Sequence, residues 1–318
     1  MDNINCIFCN IPSDIISVEE NGYQAKECPK CGLVYISPRP ERIALKELYQ
    51  HDRAHVSARG HFSDIKMPRL HELHHLKIIK KFKSSGALLE IGPGAGTFLE
   101  EAKKKGFNVF AVEPNPLQAK YIENKLNITC QISDICNASF CENTFDIIYH
   151  RDVTSHFYDP IASFKKMHSL LKDDGILVFE TGFYGSPKYM PLFLNHQFPD
   201  HLFTFSEKSI RNLLDKAGFS ETVSYVYSSV PMLFFKKLIH PIIDSVKKNK
   251  TRGGTSSKLK KIVYKESVNQ EYSKFLIILK RWYFRICHFL MYHVGYLSKK
   301  SDRPRKILLV ARKMVNTK

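Results

Sequence analysis

The sequence predicts an α/β protein built on a doubly wound, mostly parallel sheet, and two observations carry that expectation. Residues 88–98, LLEIGPGAGTF, set a glycine-rich turn directly after a short apolar run. Ala87–Ile91 suits a buried parallel strand, and the TFLEEAKKKG that follows reads as a helix stopped by Gly106. Strand, glycine turn and helix in that order are the unit of a doubly wound sheet. The second observation is size: 318 residues, 43% of them apolar, are enough for one such core with appendages.

The net charge of +17 is unevenly placed. Residues 1–231 hold 26 basic and 27 acidic side chains, residues 232–302 hold 16 and 4, and residues 303–318 hold 6 and none. The body is therefore nearly neutral and the positive field belongs to the C-terminal quarter. The opening MDNINCIFCN lacks a basic region followed by an apolar core. No uncharged apolar run reaches the roughly 18 residues of a spanning helix. The expectation is a cytoplasmic protein.

Cys6, Cys9, Cys28 and Cys31 stand in the spacing C-x2-C-x18-C-x2-C. Two such thiolate knuckles place four sulfurs at the corners of a tetrahedron, which suits a structural Zn²⁺ in a closed ribbon. Cys130, Cys136, Cys141 and Cys287 show no ligand spacing and read as ordinary thiols. Further on, His71–His75 spell HELHH, formally the H-E-x-x-H of zinc proteases. Leu70, Leu73, Leu76 and Ile79 recur near helical spacing as a packing stripe with the histidines largely off it. The expectation is a chance match on a solvated helix face, and no protease.

The glycine turn fits neither common phosphate motif. No Lys follows Gly96, as a triphosphate loop needs, and Thr97 stands where a dinucleotide fingerprint has its third glycine. The pattern is instead E-x-G-x-G-x-G over Glu90, Gly92, Gly94 and Gly96, and an acid at a strand end suits a cationic ligand better than a phosphate. This stretch resembles motif I of class I S-adenosylmethionine-dependent methyltransferases. The order of later elements strengthens the likeness: NVFAVEPNP with Glu113, QISDI with Asp134 and Ile135, FDIIYHRDVTSHFYDP, SLLKDDGILVFET, and a final RKILLVARK. The resemblance implies a seven-stranded sheet with S-adenosylmethionine held through close backbone approach at the glycines. It implies that Glu113 accepts from the ribose hydroxyls, Asp134 from the adenine amino group, and Ile135 packs beside that ring. It also makes residues 231–302 an insertion before the last, antiparallel strand.

An N-terminal four-cysteine ribbon joined to this fold further resembles sugar methyltransferases of polysaccharide and deoxysugar pathways. The stretch FPDHLFTFS matches their acceptor motif at His201, but Phe198 and Pro199 replace its Tyr and His. Carbon methylation needs well-supported bases, so transfer to a hydroxyl is the expectation. Candidate bases are His201, His150 and His156, with Asp152 beside the expected methyl position.

The expected organisation is a zinc ribbon over 1–40, a helical segment over 41–83, the methyltransferase core over 84–230, a basic amphipathic helical insertion over 231–302, and the last strand over 303–318. In the insertion a mobile linker, KKNKTRGGTSSKLKK, precedes a helix. There Lys274, Arg281, Arg285 and His288 face away from Leu276, Leu279, Tyr283, Ile286, Phe289, Leu290 and His293. Apolar aromatics opposite a basic stripe suit an anionic membrane surface through residues 232–302, or else packing on the core or a dimer contact. The expected acceptor is a small molecule, a glycan or a lipid-linked group at the inner membrane face. The alternatives are an RNA methyltransferase or a non-catalytic docking module. The ribbon's three basic and five acidic side chains make it a poor phosphate reader, so nucleic acid ranks lower.

Overall fold

The computed structural model describes residues 1–47, 60–62, 64–183, 198–248, 274–297 and 305–314, with 240–248 and 274–276 as helical backbone alone. Residues 249–261, most of the expected linker, lie outside the described residues.

Two sheets organise the chain. The smaller is antiparallel and runs β1 (Ile16–Glu20), β2 (Tyr23–Glu27), β3 (Val34–Ile36), then a distant β9 (Phe203–Thr204). The fourth strand of the ribbon sheet thus comes from far beyond residue 40. The larger sheet has seven strands. In chain order these are β4 (Gly86–Ile91), β5 (Phe107–Val112), β6 (Thr129–Gln131), β7 (Phe145–Arg151), β8 (Leu171–Phe183), β10 (Phe219–Ser228) and β11 (Arg305–Lys313). Their spatial order is β10-β11-β8-β7-β4-β5-β6. β4 to β8 are mutually parallel, and β11 enters antiparallel between β8 and β10. Chain order reverses between β4 and β7, the switch point where doubly wound sheets bind ligands.

The period-2 rule builds two cores from the central strands. Along β4, Leu89 and Ile91 join the layer that contains the ribbon cysteines, while Leu88 joins the opposite layer with Phe98 and Leu99. Along β7, Ile148 faces the first layer and Ile147 and Tyr149 the second. The helices that cover these layers start where the sequence caps them. α4 (Pro116–Leu126) follows Asn115, whose Oδ1 accepts from Leu117 N and Gln118 N, and α5 (Pro160–Leu170) follows Asp159, which accepts from Ala162 N. In both, proline takes the first helical position, where its missing N–H costs nothing. α6 (Glu207–Ala217) opens on a Ser206–Ser209 capping box and stops at Gly218.

α1 (Arg42–Glu47) and α2 (Leu70–Ile79) precede the sheet, and α3 (Thr97–Lys104) leaves the glycine turn. The insertion contributes α7 (Val230–Lys248), α8 (Lys274–Phe289), a π-helical segment (Leu290–Val294) and the short α9 (Gly295–Leu297). Among the described residues, no helix is long and apolar enough to cross a membrane.

The α2 expectation fails in an instructive way. His75 is fully buried and Glu72 nearly so, whereas Leu73, placed on the packing stripe, is exposed. The insertion lies over the histidine side of α2: His71 meets His288 and Tyr292 at ring distances of 5.2 Å, and His74 meets Tyr292 at 4.3 Å. The H-E-x-x-H residues therefore face a packed interior and not solvent.

Ser206 caps α6 and also donates to Cys31 O at 2.7 Å. Ser206→Ala is expected to cost about 1–2 kcal/mol, measured by urea unfolding at pH 7; Ser206→Asp, which retains an acceptor for the Ser209 amide, is expected to recover part of that.

Candidate active site

The site is built at the carboxyl edge of the sheet, and the glycine turn is its floor. Gly92 and Gly94 have φ of 64° and 60°, the left-handed region that favours glycine. Added Cβ atoms would come within 2.8 Å of Val153 Cγ2 at Gly92 and 2.6 Å of His61 Nδ1 at Gly94. Gly96 starts α3 at φ 72°. The turn is stitched to β5: Gly92 N donates to Val112 O at 2.9 Å, and Gly94 N to Glu113 Oε2 at 3.1 Å.

Glu113 is nearly buried, and its Oε1 takes the Asn115 amide at 2.9 Å. Burial pushes its pKa up to about 7, against the pull of those two amides. Glu90 is also buried, with Oε2 unpaired among the described residues, and burial holds its carboxyl well above the usual range. A cation placed beside this buried carboxyl would favour its ionised form and offset the cost of burying it. Asp134 is exposed on the next strand end, accepting from the Asn137 amide and side chain, while Ile135 is buried in the core layer that also holds Phe164.

The four expected acceptor-side residues separate. His150 is fully buried and stacked 5.1 Å from Phe179, with Phe157 and Phe164 edge-on at 5.7 Å. Among the described residues neither ring nitrogen has a partner, and burial drives its pKa down to about 3. Both faces of a central parallel strand are covered, and the alternation of β7 turns His150 into the phenylalanine layer. It is a neutral core imidazole and is set aside as a base. Asp152, at φ 56°, accepts from Lys306 Nζ at 2.6 and 2.8 Å.

His156 and His201 come together, ring centroids 4.5 Å apart and edge to face. His156 Nδ1 lies 2.8 Å from Asp200 O, so this nitrogen carries the proton and donates. Burial, then the neighbouring His201, lowers the His156 pKa to about 3. A short segment links the pair to the glycine turn: Val153, which crowds Gly92, opens the turn that continues to His156.

A polar network that the sequence did not reveal lies next to it. Glu180, buried on β8, accepts from Tyr292 OH at 2.6 Å and Lys306 Nζ at 3.1 Å, with His75 Nε2 at 3.2 Å. His75 Nδ1 reaches Tyr149 OH at 2.7 Å. Burial works against ionising Glu180, yet Lys306 and His75 hold it well below the usual carboxylate range. Beside them Glu72 accepts from Thr97 Oγ1 at 2.8 Å and lies 4.0 Å from Arg151 Nη1. The available signals were an acid inside the apolar strand GILVFET and the histidines of HELHH.

A methyltransferase-domain family profile matches residues 64–223, half of the chain. The chain belongs to that family. Phosphoethanolamine N-methyltransferase 2 of Caenorhabditis elegans is 25% identical over 46% of the chain and 36% of the relative. Ubiquinone biosynthesis O-methyltransferase of Actinobacillus pleuropneumoniae serotype 7 (strain AP76) is 29% identical over 30% of the chain and 44% of the relative. The matches thus span less than half of either relative's length. Among solved structures, Haemonchus contortus phosphoethanolamine N-methyltransferase 2 in complex with S-adenosyl-L-methionine has a TM-score of 0.52 at 16% identity, over 94% of this chain and 71% of that one. That likeness establishes the shared fold.

The glycine turn is covered by the segment that precedes α2. His61 and Phe62 lie over the glycine turn, where Phe62 packs with Ala95 and meets Tyr121 at 4.9 Å. α8 of the insertion holds that cover: Lys280 Nζ reaches Asp64 Oδ1 at 2.8 Å, and Arg281 donates to Lys66 O at 3.4 Å. The faces of α8 differ from the expected division. Tyr283 packs inward against Phe235 at 5.8 Å and His288 inward against α2, while Ile278, Leu279, Trp282 and Phe289 point outward beside Arg281 and Arg285. The side chains of Lys274 and Leu276 lie outside the described residues.

The four ribbon cysteines converge, their sulfurs within 4.8 Å of one another and Cys6 Sγ 3.5 Å from Cys31 Sγ. Four sulfurs about 2.3 Å from one ion stand roughly 3.8 Å apart, so this donor set fits a tetrahedral metal. Each knuckle is closed by a left-handed residue after its second cysteine, Asn10 at φ 52° and Gly32 at φ 69°.

The buried imidazole of His150 predicts an acid-sensitive fold. It is neutral when folded and titrates near 6.5 when unfolded, so each pH unit from about 6.5 down to 3 removes roughly 1.4 kcal/mol. His150→Phe fits the aromatic layer, and its loss of stability between pH 6.5 and 4.5 is expected to be smaller than the parent's by about 2–3 kcal/mol in urea unfolding.

Proposed function

We propose that this methyltransferase transfers the methyl group of S-adenosylmethionine to a hydroxyl of a sugar, glycan or lipid-linked acceptor, working at an anionic membrane surface. The observation that carries the reading is the His156–His201 pair, joined to the glycine turn through Val153. The donor, when bound, supplies an activated methyl on a sulfonium. Glu90, Gly92, Gly94, Gly96, Glu113, Asp134 and Ile135 are the residues to hold it. The unpaired Glu90 oxygen supports that assignment, because a cationic ligand relieves its isolation.

A hydroxyl must lose its proton as it attacks, whereas a neutral amine can attack first. His201 is assigned as the base, and His156, fixed through Asp200 O, orients its ring. Aligning acceptor and donor in line is the remaining task. The two curated relatives are named for transfer to nitrogen and to oxygen, and the histidine pair favours oxygen. The Zn²⁺ assigned to Cys6, Cys9, Cys28 and Cys31 is structural, since four thiolates leave no open position.

The membrane reading rests on the outward residues of α7 and α8. Phe234, Leu238, Ile278, Leu279, Trp282 and Phe289 are exposed large apolar side chains, interleaved with exposed Lys237, Arg281 and Arg285. Apolar anchors among cations suit an anionic head-group layer.

Vesicle flotation at physiological salt tests the surface, with Trp282→Ser/Phe289→Ser as the variant and structured RNA as competitor. The parent is expected to float with anionic vesicles and the variant to remain in solution with donor-product binding intact. RNA that displaces the vesicles would turn the assignment toward nucleic acid. For the chemistry, His201→Ala is expected to reduce methyl transfer to extracted lipid-linked glycans by roughly 10²–10³-fold, with S-adenosylhomocysteine affinity unchanged. Donor-product binding with no transfer to any hydroxyl acceptor would favour the non-catalytic reading.

A further inference from the structure

The cysteine ribbon and the loop that carries His201 share one sheet. β9 begins two residues after His201, yet it pairs with β3, the strand leaving the second knuckle, in the register Val34↔Thr204 and Tyr35↔Phe203. Leu202 continues the link in both directions: its carbonyl accepts from Ile36 N at 3.1 Å, and its amide donates to Ser155 O at 2.8 Å. Ser155 is the residue before His156. One backbone unit therefore ties the ribbon to both histidines.

Four further contacts act alongside it. Ser206 Oγ donates to Cys31 O at 2.7 Å, Lys208 Nζ to Lys30 O at 2.9 Å and Asn21 Nδ2 to Phe198 O at 2.9 Å. Arg39 donates to Tyr158 O at 2.8 Å with its guanidinium 3.8 Å over the Tyr158 ring. The acceptor-side segments 154–158 and 198–206 are thus both fastened to the ribbon. The glycine turn takes its hydrogen bonds from β5 and Glu113 instead.

A two-residue strand has no stability of its own, and β3 has only three residues. The knuckles themselves close around the metal, and a structural metal centre contributes its binding energy directly to folding of the segments that ligate it. Loss of the ion would release the second knuckle, then β3, then β9 and Leu202, and with them the edge contact between His156 and His201. Donor residues on β4 and β5 would keep their ladder.

We propose that the metal-loaded ribbon is the positioning element for the acceptor half of the site: occupancy of the four-cysteine centre sets the placement of His156 and His201 and has no part in holding the donor. This rests on the reading of those histidines as acceptor-facing, but its test needs no acceptor.

The full chain is loaded with zinc, then stripped with a strong chelator under reducing conditions at pH 7. Backbone hydrogen exchange, S-adenosylhomocysteine titration and the ring-proton resonances of His156 are followed in both forms. Stripping is expected to speed exchange in 154–158 and 198–206 by roughly tenfold or more, leave 86–96 and 107–115 unchanged, and alter donor-product affinity by less than about twofold. His156 is expected to move from titration near 3 toward the ordinary 6.5, and added zinc to reverse every change. A tethering variant, Asn21→Ala/Ser206→Ala with metal retained, is expected to speed exchange in 198–206 to an intermediate degree. Unchanged protection of 198–206 after stripping, loss spread through 86–131, or a parallel fall in donor-product affinity would each overturn the proposal. Failure to find a hydroxyl acceptor would touch the proposed reaction and leave these readouts standing.

Discussion

One buried carboxylate joins the parts of this protein that the chain keeps far apart. Glu180 sits on β8 with essentially no access to water, where an unpaired charge would be untenable. Its partners come from α2, the π-helical segment and β11, residues 105, 112 and 126 positions away. The N-terminal helix, the insertion and the last strand are each obliged to dock for the charge to be satisfied. Lys306 then extends the network to Asp152 at the mouth of the site. Packing alone would allow the insertion several seats on the core, and the polar demand of Glu180 selects one.

The parts of the fold legible in the sequence are those written in local pattern. The strand–glycine–helix unit, the chain of strands after it and the paired cysteine knuckles each occupy a short window with its own chemistry. Residues whose role is set by distant neighbours were not legible. HELHH reads as a solvated face because nothing within its helix announces Tyr292, 217 residues from His75, or His288. The insertion helix carries apolar groups around most of its girth, so periodicity could not decide which arc meets the core. His150 was misplaced for a simpler reason. It stands at the end of an apolar strand near the expected chemistry, and only alternation against Tyr149 shows that it turns into the phenylalanine layer.

The two halves of the site are constructed on different principles. The proposed donor side is backbone geometry: positive-φ glycines, amides gathered on Glu113, and a strand ladder beneath. The proposed acceptor side draws on a small antiparallel sheet and on loops, which leaves it adjustable without disturbing the parallel core.

The insertion leaves and re-enters the body at nearly the same place. Ser228 is paired with Arg305 at the open end of the β10–β11 ladder, and Gly295 lies so close to Ser228 O that a Cβ there would stand 2.4 Å from it. In topological terms the whole segment is an enlarged hairpin loop. A short turn could bridge the same two strands with the register intact, and Glu180 would still keep Lys306 and His75. The length of this segment is therefore uncoupled from the register of the sheet that carries it.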